Sequence, residues 1–282
     1  ILKMAFVFRS EEEVGGSYLE GKTETGGDIF IDVSQGGLLI SFELPASDAL
    51  INVPGDSIII KVNANEANEI SLFNDGILMK QDTGSMLQDT LVTSSFGKHW
   101  IKAVAASDTG SVADSFYYYV RKPTVVEGMP QGVRDGINYT DEETVILSLV
   151  APYKEFIFVI GDFNNWEVDS TYAMKMTPDS VRFWLEIDGL VPMQEYIFQY
   201  FVDGELRIAD PYTNKTSDPW DDQYIPEQVY PGLIDYPAGK TFGIASVLQT
   251  GQPEYSWQVE NFTPPANEDL IIYETLIRDF TS

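Results

Sequence analysis

Along this 282-residue chain, apolar and polar residues alternate in short runs broken by Gly, Asp and Asn, and a helical period is nearly absent. That pattern predicts β-sandwich modules. Residues 1–36 hold an opening strand near Lys3–Arg9, a polar Glu/Gly stretch and a second strand, Asp28–Val33. This is too little for a domain and reads as remnant strands of a preceding sandwich module. Residues 37–122 form a fuller unit, an immunoglobulin-like sandwich with strands at Leu38–Phe42, Ser57–Val62, Glu69–Phe73, His99–Ala105 and Ser115–Val120. Asn74-Asp75-Gly76 is a hairpin signal between the third of these and Ile77-Leu78-Met79. Residues 123–236 give a second sandwich, with strands at Thr144–Val150, Glu155–Ile160, Val181–Ile187 and Tyr196–Val202. Val181, Phe183, Leu185 and Ile187 there alternate with Arg182, Trp184, Glu186 and Asp188. Residues 237–282 read as a linker and a terminal strand; the Pro/Tyr/Gly-rich stretch from Pro226 to Pro265 is long for a simple loop and is expected to lie extended along a partner surface. The fold class that follows is all-β, in tandem sandwiches.

The apolar run Asp269–Phe280 has the composition of a buried parallel strand. A buried strand needs something to cover it, so the expectation is that the chain is part of something longer. No apolar run approaches the roughly 18 residues of a membrane-spanning helix.

Charge narrows the function classes. Forty-four acidic against 17 basic side chains give 17 − 44 = −27, which disfavours nucleic acid and anionic membrane surfaces. With no cysteine and one histidine, His99, disulfides, thiolate zinc sites and multi-histidine metal sites are excluded. His99 reads as a packing residue at a strand start. Aromatic content is high, at 13%, which suits sheet cores and, on a surface, stacking against sugars.

Gly161-Asp162-Phe163-Asn164-Asn165-Trp166 resembles the G-x-F-N-x-W signature of carbohydrate-binding module family 48, the sandwich in front of many α-amylase-family enzymes. Tyr196-Ile197-Phe198-Gln199-Tyr200-Phe201-Val202-Asp203-Gly204 is similar to that family's Y-x-F-x-x-D-G strand, and Ala209-Asp210-Pro211-Tyr212 to its D-P-x element. Tyr273-Glu274-Thr275-Leu276-Ile277-Arg278-Asp279-Phe280-Thr281 looks like Y-E-x-x-x-R-D-F-T, the first barrel strand of glycoside hydrolase family 13. The resemblance covers residues 134–282, in the family's order. It implies the non-catalytic front of an extracytoplasmic bacterial α-glucan hydrolase, whose own catalytic barrel and α-glucan would be its partners. The same front region occurs in branching and debranching enzymes. From a different class, a structural or adhesive multi-sandwich surface protein with no sugar site is the alternative.

The resemblance points to Trp166 as a stacking platform with Asn164 and Asn165 as hydrogen-bonding amides. It also brings in Gln199, which stands where glycogen-binding members carry a lysine; Leu206 stands where they carry a second tryptophan. The other reading of Trp166 is packing. Trp220, in Ser217-Asp218-Pro219-Trp220-Asp221-Asp222, is a further sugar candidate. The acids around it lack a calcium-loop spacing, so a solvated turn is the expectation, with calcium a weak possibility and no cofactor otherwise implied. Retaining glycosidases need two carboxylates about 5–5.5 Å apart, which in the implied family lie on later barrel strands. Glu274 and Asp279 match neither, so no catalytic residue is assigned.

Overall fold

A computed structural model describes residues 2–6, 8–9, 20–21, 29–33, 36–46, 50–253, 256–259 and 261–274. The chain divides into two compact units, Ile1–Gly251 and Gln252–Ser282.

The described part of the first unit is all-β. Near its start, Leu2–Phe6 pairs antiparallel with Ile29–Val33, and Phe8–Arg9 with Glu20–Gly21. An immunoglobulin-like sandwich follows. One sheet has the order Met86–Val92, Ser57–Asn65, Leu39–Leu44; the other has the order Leu50–Asn52, Gly110–Val120, Gly97–Ser107, Glu69–Asn74, Ile77–Asp82. Alternation along Ser57–Asn65 sends Ile58, Ile60 and Val62 inward against Ile70, Leu72, Ile101 and Ala103 of the opposite sheet. Asp75 and Gly76 turn the Asn74–Ile77 hairpin with φ of 48° and 80°, the pair of positive angles that a two-residue turn matched to strand twist requires. The Asp75 carboxylate then clamps the neighbouring strand. It accepts from the Trp100 amide at 2.8 Å and meets His99 Nδ1 at 2.6 Å. His99 stacks on Tyr118 with centroids 5.1 Å apart, so it sits within a strand-end network, as its place in the pattern suggested.

The second sandwich faces a sheet ordered Gly136–Tyr139, Val145–Val150, Arg182–Ile187, Lys175–Met176 against one ordered Ile157–Gly161, Glu195–Val202, Ala245–Gln249, Thr216–Ser217. Leu147, Phe183 and Leu185 meet Val159, Phe198, Tyr200 and Leu248 in its core. Ala245–Gln249 lies far beyond the boundary expected at residue 236. It pairs with Glu195–Phe198 in the middle of the sheet, so the second sandwich runs to Gly251 and the strand is part of its core. The Pro/Tyr/Gly-rich stretch therefore does not lie along a partner surface throughout, because residues 245–249 of it are a strand inside this sandwich.

Glu195–Val202 is buried along nearly its whole length, which an antiparallel strand with one wet face would not be. Its second face, Ile197 and Phe201 with Phe158, Ile160, Ala245 and Val247, packs with Tyr119 of the first sandwich and with Trp166 and Val168. Ile51 of the first sandwich also packs there. The two sandwiches are joined by a shared apolar cluster.

In the second unit, the described residues carry a single turn of 3₁₀ helix, Asn267–Asp269. Leu270–Glu274 forms no strand, so the expected terminal strand is not present over its described part. No described segment pairs with it, and a parallel strand is stable only between neighbours that satisfy its backbone. Residues 275–282, with Arg278 and Asp279, lie outside the described residues.

Candidate functional site

The Gly161–Trp166 segment leaves the Ile157–Gly161 strand through a 3₁₀ turn, Asp162–Asn164. Asn164 closes the turn on both sides. Its Oδ1 accepts from the Gly161 amide at 2.8 Å, and its Nδ2 donates to the Val159 carbonyl at 2.8 Å. Asp162 ties the turn to the adjacent strand, with Oδ1 accepting from Trp166 Nε1 at 3.0 Å and Oδ2 from the Ile197 amide at 2.8 Å. Gly161 permits this approach, since a Cβ there would stand 2.5 Å from the Ile197 carbonyl oxygen and 2.9 Å from Phe198 Cβ. Asn165 and Trp166 both take positive φ, 54° and 65°, which swings the indole back into the cluster between the sandwiches. Trp166 ends 6% exposed.

This corrects the stacking assignment. An indole packed on Tyr119, Phe158 and Ile160 with its N–H on Asp162 has no open face for a sugar, and the Asn164 amide is spent on backbone. Gln199 is corrected in the same way. It is fully buried, donating to the carbonyls of Phe242 and Ile244 at 2.9 and 2.8 Å and accepting from Thr241 Oγ1. Its role is to pin the 241–244 segment over the sheet. Asn165 alone of this group is exposed; its Oδ1 accepts from Lys240 Nζ at 3.2 Å.

The other motif elements behave alike. Asp203 Oδ1 accepts from the amides of Glu155 and Phe156 at 2.9 and 3.2 Å. Asp210 is buried, taking the Tyr200 hydroxyl at 2.7 Å and the Tyr212 amide at 2.7 Å. Burial raises its carboxyl above its ordinary value despite those two donors, and burial also raises Tyr200 well above its ordinary value.

Trp220 lies elsewhere, half-exposed at 51%, directly after Asp218 and Pro219, which line a cleft of about 480 Å³. Asp222, Glu227, Asp235, Tyr230 and Tyr236 also line it. Asp218 Oδ1 accepts from the amides of Trp220 and Asp221, Asp222 Oδ2 from the Asp218 amide, and Glu227 Oε1 from the Gly232 amide. Each carboxylate retains acceptor capacity toward the cleft. An aromatic rim over carboxylates that accept from hydroxyls suits a neutral polyhydroxylated ligand. The acids of this loop hold turns through backbone amides, and among the described residues no three His, Cys, Asp or Glu side chains converge as a metal-ligand set. Sequence reasoning reached Trp220 but missed Tyr230 and Tyr236, which chain folding alone brings into the cleft with Asp218 and Pro219.

No family model matches the sequence, and no curated protein matches it. Among solved structures, the chain is similar to the fibronectin(III)-like modules of Clostridium thermocellum CbhA, at 16% identity over 29% of this chain and 96% of theirs with a TM-score of 0.25. It is also similar to an I-band fragment of titin, at 15% identity over 58% of this chain and 61% of that one with a TM-score of 0.27. A third similarity is to Bacteroides uniformis β-glucuronidase 3, at 12% identity over 58% of this chain with a TM-score of 0.26, where the match spans 23% of the enzyme's length. The chain itself is an all-β protein of tandem immunoglobulin-like sandwiches.

Proposed function

We propose that this chain is the non-catalytic front region of an extracytoplasmic α-glucan hydrolase of the α-amylase family, a stiff two-sandwich support whose glucan contact lies at the Trp220 cleft. The observation that carries the reading is the work done by the motif residues. Gly161, Asp162, Asn164, Trp166, Asp203 and Asp210 each brace a turn of one sandwich, which supports a family-48-like module built from that signature. The same observation moves sugar contact away from Trp166, and the exposed indole of Trp220 beside a carboxylate-lined cleft is the remaining aromatic platform among the sequence candidates.

The test is affinity electrophoresis in amylopectin gels together with calorimetry using maltoheptaose, on the wild-type chain, Trp220→Ala and Trp166→Phe. The expected result is retardation that is lost in Trp220→Ala with the fold intact and kept in Trp166→Phe. No retardation of the folded wild-type chain would overturn the glucan contact and favour the second reading, a structural multi-sandwich protein without a sugar site. That reading draws on the internal use of Trp166 and Asn164. The chain is also expected to release no new reducing ends from amylopectin or pullulan.

A further inference from the structure

Residues 121–127, which connect the sandwiches, are fixed by backbone bonds on both sides. The Arg121 amide donates to the Asn52 carbonyl at 2.8 Å, the Met176 amide to Val125 at 2.9 Å and the Glu127 amide to Met176 at 2.9 Å. Thr124 Oγ1 donates to the Glu155 carbonyl at 2.8 Å. The segment borders a cleft of about 340 Å³, a volume in the range of small-ligand pockets. Its apolar side is lined by buried Phe158 and Met174, by Phe156, and at the rim by exposed Val125. Tyr119, Ser170 and Thr171 bring hydroxyls to it. Lys122 and Lys175 line it too, the Lys175 ammonium being taken by Glu127 at 2.9 Å. Among the described residues no Asp or Glu lines this cleft, although the chain carries 44 of them.

Arg121 lines the same cleft, with its guanidinium 4.2 Å from the centroid of the Phe156 ring. The side chain is 13% exposed, yet its polar contacts are long: Nη1 to the Lys122 carbonyl at 3.4 Å and Nη2 to the Glu155 carboxylate at 3.6 Å. A guanidinium has five N–H donors, and here they are largely covered from water without a close acceptor. Glu155 itself is 80% exposed, so this counter-ion stands mostly in solvent. The rings of the wall follow one pattern. Phe156 and Phe158 meet edge to face at 5.9 Å, and Phe158 and Tyr119 do so at 5.8 Å. A further ring can extend that row in the same geometry.

We infer that this cleft binds a small aryl carboxylate, with the carboxylate on the Arg121 guanidinium and the ring against Phe156, Phe158 and Met174. A carboxylate accepts two parallel guanidinium bonds at about 2.7–2.9 Å, closer than either contact Arg121 makes within the chain. A small aliphatic acid would leave the aromatic wall uncovered, and a neutral aryl compound would leave the guanidinium short of acceptors. The chain's −27 charge acts against ligands that carry several negative charges. The inference does not rest on the glucan reading, whose cleft shares no lining residue with this one.

Calorimetry of the whole chain at low salt tests it, using 3-phenylpropionate, its neutral amide 3-phenylpropionamide, and propionate. Phenylpropionate is expected to bind about tenfold or more tightly than the amide, and propionate to give no measurable heat. Arg121→Gln is expected to bring the acid down to the affinity of the amide and to leave the amide unchanged. Arg121 also packs on Phe156, so the urea midpoint of that variant is read beside its affinity. Val125→Asp, at an exposed rim position that spares the core, sets a like charge at the mouth; it is expected to weaken the acid and spare the amide, and it decides the matter if Arg121→Gln does not fold. The proposal is overturned if phenylpropionate does not bind the folded wild-type chain, if acid and amide bind alike, or if the deciding variant leaves the affinity of the acid unchanged.

Discussion

Replacing Trp166 by alanine separates packing from sugar stacking. The indole is 6% exposed in a cluster fed by both sandwiches, and truncating a buried tryptophan costs about 3–5 kcal/mol through lost transfer energy and the cavity left behind. At roughly 2–4 °C per kcal/mol for a unit of this size, the melting temperature should fall by about 6–20 °C. Trp166→Phe keeps most of the ring but removes the donor to Asp162, a charged hydrogen bond of about 1.5–3 kcal/mol, so it should lie between wild type and alanine. Because Tyr119 and Ile51 of the first sandwich share the cluster, the wild-type sandwiches should melt together, and Trp166→Ala should begin to separate them. Urea unfolding followed by near-UV circular dichroism measures all three effects. If Trp166→Ala unfolds within about 0.5 kcal/mol of wild type, the scatter of a neutral surface change, and at the same time loses retardation in amylopectin gels, then the indole is a platform and the packing argument fails.

Three further outcomes follow from the same geometry. Gly161→Ala places a Cβ against the Ile197 carbonyl and Phe198, a backbone contact that cannot rotate away, and should lower stability by about 1–3 kcal/mol; a variant as stable as wild type in urea would show that the turn gives way instead. Gln199→Lys places a cation at a fully buried position; it should destabilise through burial of an unpaired charge and bring no gain in maltoheptaose affinity, and increased affinity on calorimetry would contradict the buried role. Asp210 has a folded pKa raised by burial, so the native state keeps this proton after the unfolded chain has lost it near about 3.9. Stability should therefore fall as pH rises from there through the raised folded value and stay level above it. The wild-type urea midpoint relative to that of Asp210→Asn, followed from about pH 3.5 to 8, should fall as pH rises over the acid end and then hold constant; a relative midpoint that rises instead would reverse the sign assigned to Asp210.

The strands of both sandwiches were readable because their inward positions alternate, as Ile58, Ile60 and Val62 do. Of those that went unread, Met86–Val92 carries polar Gln88, Asp89 and Thr90 at its middle, and the others are short or late. Ala245–Gln249 sits in a Pro- and Gly-rich stretch whose composition argues for loop, and its strand character comes from the ladder with Glu195–Phe198, a pairing some fifty residues away that no local pattern carries. The terminal run Leu270–Tyr273 shows the converse, since β-favouring composition alone leaves it without a strand among the described residues.

The site was harder to read for a related reason. A motif records which residues a fold holds constant, and an aromatic next to amides looks the same whether it is held for a ligand or for its neighbours. The sequence did contain one cue. Tyr196–Val202 is apolar on both alternating faces except at Gln199, and an antiparallel strand reads that way only when something covers its second face. One residue close in chain that can offer that cover is the tryptophan five positions beyond the partner strand's last residue, Gly161. Taken together, the continuous strand and the adjacent indole argue for burial of Trp166.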